Sequence, residues 1–204
     1  CPNCGWSGES LFVSPLFLPP GTILKEKYLV GKVLGHGGFG VTYMALDLSL
    51  ALRVCLKEYF PASLATRSAP QSLYVQVFSG EAGELYDLGL RSFLHEAQIL
   101  ARFEDHPGIV SVRDYFEANG TAYMVTSYFN GITLKAYLEQ KGGSIPFPLA
   151  LKILMPVMDS LRSVHSAGLL HRDVSPENIY LTDDGQVKLL DFGAATRMET
   201  PYEN

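Results

Sequence analysis

Cysteine is scarce, with three in 204 residues. Two of them sit together in Cys1-Pro2-Asn3-Cys4, and Cys55 stands alone far downstream. That is no disulfide framework, so a reducing compartment, the cytoplasm, is expected. Positive charge is short as well: sixteen Lys and Arg against twenty-one Asp and Glu leave a net charge of −5. That balance excludes a protein built to cover a nucleic-acid backbone. No apolar run approaches the ~20 residues of a membrane helix, and the most apolar early stretch, residues 11–24, is cut by Pro15, Pro19 and Pro20. No signal-peptide pattern is visible. What remains, 47% hydrophobic and 18% charged, can bury a core in one large domain or two small ones.

Both ends read as cut. The chain starts at Cys1 without an initiator Met and stops at Asn204, as a fragment of a longer protein would. Cys1-Pro2-Asn3-Cys4-Gly5-Trp6 has the form of one knuckle of a zinc ribbon, in which two thiolates and a Gly turn grip one side of a tetrahedral Zn²⁺. Four ligands are needed and two are present. Zinc at Cys1 and Cys4 is therefore expected only if further ligands lie upstream. Residues 1–8 are read as this half-knuckle and residues 9–22 as a Ser- and Pro-containing linker.

From Tyr28 the pattern changes to strand, glycine loop, strand. Tyr28 to Leu34 and Val41 to Leu46 are rich in β-branched and aromatic residues, and Gly35-His36-Gly37-Gly38-Phe39-Gly40 lies between them. A dinucleotide-binding Gly-x-Gly-x-x-Gly opens a helix; here a strand follows, so the loop reads as a hairpin. Glycine serves there because backbone N–H groups approach phosphate oxygens closely only where no Cβ intervenes. Next, Arg53-Val54-Cys55-Leu56-Lys57 is a short apolar strand ending in a lysine that needs an anionic partner if buried. Residues 90–103 show helical periodicity, with Phe93, Glu96 and Ala97, Leu100 and Phe103 on one face. Glu96 is the anomaly in that stripe, one that a pair with Lys57 would explain. Thirty-eight residues separate the two, and residues 61–83 read as an insertion with a strand over 73–78.

Beyond them, residues 112–116 and 121–126 read as a hairpin about Ala118-Asn119-Gly120. Helices are expected over 134–138 and 149–167, the second kinked or started late by Pro156 and stopped at Gly168. The most informative stretch is His171-Arg172-Asp173-Val174-Ser175-Pro176-Glu177-Asn178. Two short apolar runs about Thr182-Asp183-Asp184-Gly185 follow it, and then Asp191-Phe192-Gly193. The Asp-Gly turn predicts a β-hairpin that holds Asn178 and Asp191 near one another. Two oxygen ligands on rigid strands suit Mg²⁺, which takes one or two carboxylates plus substrate phosphates. Asp173 in the adjoining loop is then free to accept a proton from a hydroxyl.

These motifs, in this order over residues 28–197, closely resemble the protein kinases, in particular bacterial serine/threonine kinases of eukaryotic type. The phrase Lys57-Glu58-Tyr59-Phe60-Pro61 points to the bacterial branch. The resemblance implies an α+β, bilobal protein-kinase-like fold. Residues 23–129 would form the N-lobe, an antiparallel sheet with one helix, and residues 130–204 the start of a helical C-lobe. It implies ATP and Mg²⁺ as cofactors and a protein as substrate. Asp173, Lys57 and Glu96 become the catalytic set, and Asn178 and Asp191 the metal ligands. The nucleotide contacts become Leu34, Gly35, Gly37, Gly38, Phe39, Gly40, Thr42, Cys55, Lys57, Thr126, Ser127, Phe129 and Tyr180. Thr126 matches the residue beside the adenine pocket, and Ser127-Tyr128-Phe129 the hinge.

Departures from the pattern stand beside these matches. Ser175 replaces the lysine usual two positions after Asp173, and Thr42 and Cys55 replace the valine and alanine over adenine. The Ala-Pro-Glu segment and later helices are missing. Arg172 matches the residue that meets an activation-loop phosphate, which makes Thr196 and Thr200 candidate modification sites. The competing reading is a pseudokinase or nucleotide-binding scaffold, for which Ser175 and the missing segments speak. Retention of the five charged and polar site residues speaks for the enzyme.

Overall fold

Alternating burial builds the main sheet. Along β3 (Gly40–Asp47) and β4 (Leu52–Tyr59), Val41, Tyr43, Ala45, Val54, Leu56 and Glu58 face one side, while Thr42, Met44, Cys55, Lys57 and Tyr59 face the other. The computed structural model describes residues 14, 16–68 and 72–197. Cys1, Cys4 and Thr200, and with them the expected zinc knuckle, lie outside the described residues.

In chain order the remaining strands are β1 (Ile23–Leu24), β2 (Tyr28–Gly37), β5 (Ala65–Thr66), β6 (Gln76–Val77), β7 (Val112–Ala118), β8 (Thr121–Ser127), β9 (Gly131–Thr133), β10 (Leu169–Leu170), β11 (Ile179–Thr182), β12 (Val187–Leu189) and β13 (Thr196–Arg197). The helices are α1 (Glu81–Leu100), α2 (Leu134–Gln140) and α3 (Phe147–Ser166). The chain divides into two compact units, residues 1–97 with 112–128, and residues 98–111 with 129–204.

The first unit is an antiparallel sheet in the order β1-β2-β3-β4-β8-β7. Gly37 and Gly40 are partners, so the glycine loop is a tight turn at Gly38-Phe39 between paired strands. Gly40 is demanded by packing: a Cβ there would lie 2.1 Å from the Glu58 carbonyl oxygen. The β7–β8 turn falls at Asn119-Gly120, both with positive φ (55° and 74°), as a right-twisting hairpin requires. The insertion forms a two-stranded ribbon, β5 with β6, in which only Gln76 and Val77 of the strand expected over 73–78 are paired. Helix α1 begins at Glu81, nine residues before the periodic stretch. Its first half keeps Leu85 and Leu88 exposed, so no apolar stripe announced it.

The second unit carries the sheet β12-β11-β9 and the pair β10–β13. Thr133 caps α2, its Oγ1 accepting from the Ala136 amide at 3.1 Å. Helix α3 starts at Phe147 and runs unbroken through Pro156, so the late start expected from that proline does not occur. Ile153, Val157, Ser160 and Val164 form its buried stripe. Among the described residues no helix is long and apolar enough to cross a membrane.

Candidate active site

In the first unit the strand registers gather one set of groups on a single face of the sheet. Lys57 is the partner of Thr42 on β3 and of Met124 on β8, and Cys55 is the partner of Thr126. From α1, Glu96 reaches the same face. Lys57 Nζ lies 3.1 Å from each Glu96 carboxylate oxygen, a charge-assisted fork. The Glu96 side chain is only 3% exposed, whereas that of Lys57 keeps 26%. A buried carboxylate is stable as an ion only when paired, and the lysine's Nζ also lies over the Phe93 ring, 5.8 Å from its centroid.

The glycine turn stands at the edge of that face. Phe39 is 81% exposed at its tip. A Cβ added at Gly35, Gly37 or Gly38 would meet no protein atom within 4 Å, and none of the three has positive φ. Packing therefore does not require these three glycines, which leaves close approach of a ligand as their physical use. Leu34 is 40% exposed on β2, and Ser127, which accepts from Arg113 Nε at 3.0 Å, ends β8. Burial pushes the Cys55 thiol up to about 11, against a hydrogen bond with Thr126 that lowers it. At neutral pH it is a protonated small hydrophobe and no nucleophile.

In the second unit the β11–β12 hairpin forms about the Asp-Gly turn as expected, with Ile179 opposite Leu189. Asn178 and Asp191 flank the open ends of the two strands, tied by the Leu190 amide donating to the Asn178 carbonyl at 2.8 Å. The Asn178 amide donates to Asp173 Oδ2 at 2.8 Å and to the Asp173 carbonyl at 3.0 Å. Asp173, Asn178 and Asp191 are thus brought together. Asp191 has φ 56° and Arg172 φ 66°. Left-handed backbone is tolerable for Asp but unfavourable for Arg, and such strain concentrates at functional sites.

His171 anchors the loop from beneath. It is 1% exposed; Nδ1 accepts from the Asp173 amide at 3.3 Å, and Nε2 meets the Leu190 carbonyl at 3.0 Å. Burial lowers its pKa, so the imidazole is neutral with its proton on Nε2. The ring packs edge-on against Phe192, centroids 4.5 Å apart. Tyr180 on β11 donates its hydroxyl to the Phe129 carbonyl at 3.3 Å. Among the described residues no group of three His, Cys, Asp or Glu could by itself hold a metal ion. The Asp191 carboxylate and an Asn178 oxygen are hard oxygen atoms that could help hold a cation drawing the rest of its shell from phosphate and water.

The geometry is one that a family comparison can test. A model described as protein kinase domain matches residues 28–204, and this chain belongs to that family. Among curated proteins it is 31% identical over 210 residues to the serine/threonine-protein kinase PknG of Mycolicibacterium smegmatis, covering 98% of this chain and 23% of that protein. It is 33% identical over 184 residues to the serine/threonine-protein kinase PknA of Mycobacterium tuberculosis, covering 88% and 38%. Among solved structures, one titled "PpkA-294 apo form" matches with a TM-score of 0.81 at 37% identity, over 87% of this chain and 62% of that one. The fold is kinase-like, and the chain spans 23% and 38% of the length of these two curated relatives.

Sequence reasoning missed one polar cluster. Glu58, beside Lys57, is wholly buried and paired with Arg67 of the insertion. The only signal was a charged residue at a core position of a strand, next to another whose charge already had an explanation.

Proposed function

We propose that this chain performs ATP- and Mg²⁺-dependent transfer of the γ-phosphoryl group to serine or threonine hydroxyls of a protein. The observation that carries this reading is the Lys57–Glu96 fork on the sheet face below the glycine turn. Glu96 is buried and holds the lysine, whose side chain stays 26% exposed on the face where an anionic ligand would approach. In this reading the backbone amides of residues 35–40 cover the phosphates, with Phe39 screening them from water, and Lys57 holds two of them in line. Thr42, Cys55, Thr126 and Ser127 of the first unit, and Phe129 and Tyr180 of the second, would be the contacts of the adenosine.

Asn178 and Asp191 would hold Mg²⁺, which when bound neutralises charge developing on the phosphoryl oxygens. Asp173 accepts the proton of the substrate hydroxyl as its oxygen bonds to the γ-phosphorus. The bond to the β-phosphate oxygen breaks, and its electron pair leaves with ADP. Ser175 supplies no cation near that transfer; its backbone carbonyl accepts from the backbone N–H of Asn178 at 3.0 Å and so shapes the loop instead. The test is label incorporation from γ-³²P-ATP by the full-length protein beside Asp173→Ala and Asp191→Ala. Wild type should label and both variants should fall by roughly 10²-fold or more; equal labelling of all three would overturn the reading.

A further inference from the structure

The opposite face of the main sheet holds charge that this mechanism leaves unused. Glu58 follows Lys57 on β4 and therefore points the other way, with no exposed surface. Its Oε2 accepts from the Tyr43 hydroxyl at 2.9 Å, and its Oε1 accepts from the Tyr123 hydroxyl at 2.9 Å and from Arg67 Nη2. Arg67, just after β5, also donates to the carbonyls of Leu16 and, at 3.4 Å, Leu73, and lies 4.7 Å over the Phe60 ring. Tyr43 in turn accepts from the Leu18 amide at 3.0 Å.

Two hydrogen bonds thus seat residues 16–18 on this cluster, and the residue between them reaches the glycine turn. Phe17 packs on His36 with ring centroids 5.3 Å apart. The turn rests on the same strand end, since the Phe60 amide donates to the Phe39 carbonyl at 3.2 Å and Gly40 lies against the Glu58 carbonyl. A buried ion pair is weak support for stability, because apolar groups of the same volume would serve as well. What a directed network adds is position.

We propose that Glu58 and Arg67 are positioning residues for Lys57 and the glycine turn, acting together with residues 16–18, which they hold against the back of β4. The insertion then has a use: it delivers Arg67 and closes the sheet's far face. Because the segment ahead of the domain is one wall of this seat, whatever moves that segment also moves the nucleotide-binding strand. The proposal rests on the reading of Lys57 as a phosphate-binding group.

The test uses the full-length protein with casein as a generic acceptor and MgATP varied, at a temperature well below each variant's Tm. Glu58→Gln and Arg67→Lys keep size but break the fork, and Phe17→Ala removes the contact with His36. KM for MgATP should rise roughly tenfold or more in the first two and by a smaller factor in the third, with KM for casein unchanged. Wild-type KM and kcat in variants whose Tm has dropped would show a purely structural cluster and overturn the proposal. Should Arg67→Lys fail to fold, Tyr43→Phe removes only the hydroxyl that joins Leu18 to Glu58. A raised KM for MgATP in it supports the proposal, and a wild-type value overturns it. Lys57→Met separates the two levels. If it is inactive while Glu58→Gln is normal, only the positioning role fails; if it is itself normal, the reading of Lys57 fails with it.

Discussion

Asn178 points its amide nitrogen at Asp173, 2.8 Å from the carboxylate and 3.0 Å from the carbonyl of the same residue. In the proposed mechanism this contact bears on two roles. It restrains the carboxylate that would take the substrate proton, and it leaves the Asn178 carbonyl oxygen as the atom to meet a cation.

Replacing Asn178 by Asp should be worse than its single-atom change suggests. Two carboxylates at hydrogen-bond distance cannot both stay ionised, so one takes up a proton. The expected outcome is a kcat lower by roughly 10²-fold or more with a raised Mg²⁺ requirement. Labelling rates measured across a magnesium titration check it, and a rate equal to wild type at all concentrations would contradict it.

The glycines of the turn should separate into two kinds. Gly40→Ala drives a Cβ onto the Glu58 carbonyl, so the strand pair must shift and Tm should fall. Gly37→Ala meets no protein atom, so Tm should hold while KM for ATP rises, the added methyl standing where phosphate approaches. Thermal melts beside ATP titrations of both variants distinguish them. Loss of stability in Gly37→Ala would show that packing, not ligand approach, sets that glycine.

Much of this was legible in the sequence, for particular reasons. The glycine loop was recognisable as a hairpin because β-branched and aromatic residues follow it, and the β11–β12 hairpin because Asp184-Gly185 marks its turn. Glu96 stood out as one carboxylate in an apolar stripe. Helix α1 was legible only from its buried half, because its first half carries no stripe. Glu58 and Arg67 stayed hidden for a deeper reason: one is on β4 and the other nine positions on, just past β5, and nothing local predicts which buried charge finds which partner.

Phosphorylation of Thr196 should tighten the hold on β13 (Thr196–Arg197). Arg172 Nη1 lies 3.5 Å from the Thr196 hydroxyl, and a phosphate there gains charge-assisted bonds to a guanidinium already held nearby. Mass spectrometry after incubation with ATP should find the modification. The modified protein should show slower amide exchange around β13, an effect absent in Arg172→Gln.

Acid should loosen the loop that carries Asp173, and the sign follows from His171. Its folded pKa lies below the ordinary value because burial disfavours the imidazolium, and a second ring proton would collide with the Asp173 amide that now donates to Nδ1. The unfolded chain takes up that proton near pH ~6.5, so between there and the lower folded value the unfolded state binds more protons. Stability is therefore fully present above about 6.5 and declines as pH falls through that window, by at most about 1.4 kcal/mol per pH unit for this one group. Urea midpoints from pH 7.5 to 5 should fall less steeply in His171→Asn than in wild type. The fall in kcat should track the same window, because the amide that orients Asp173 loses its acceptor. Identical slopes in the two proteins would mean that His171 charges as readily folded as unfolded, and that its burial does not govern the loop.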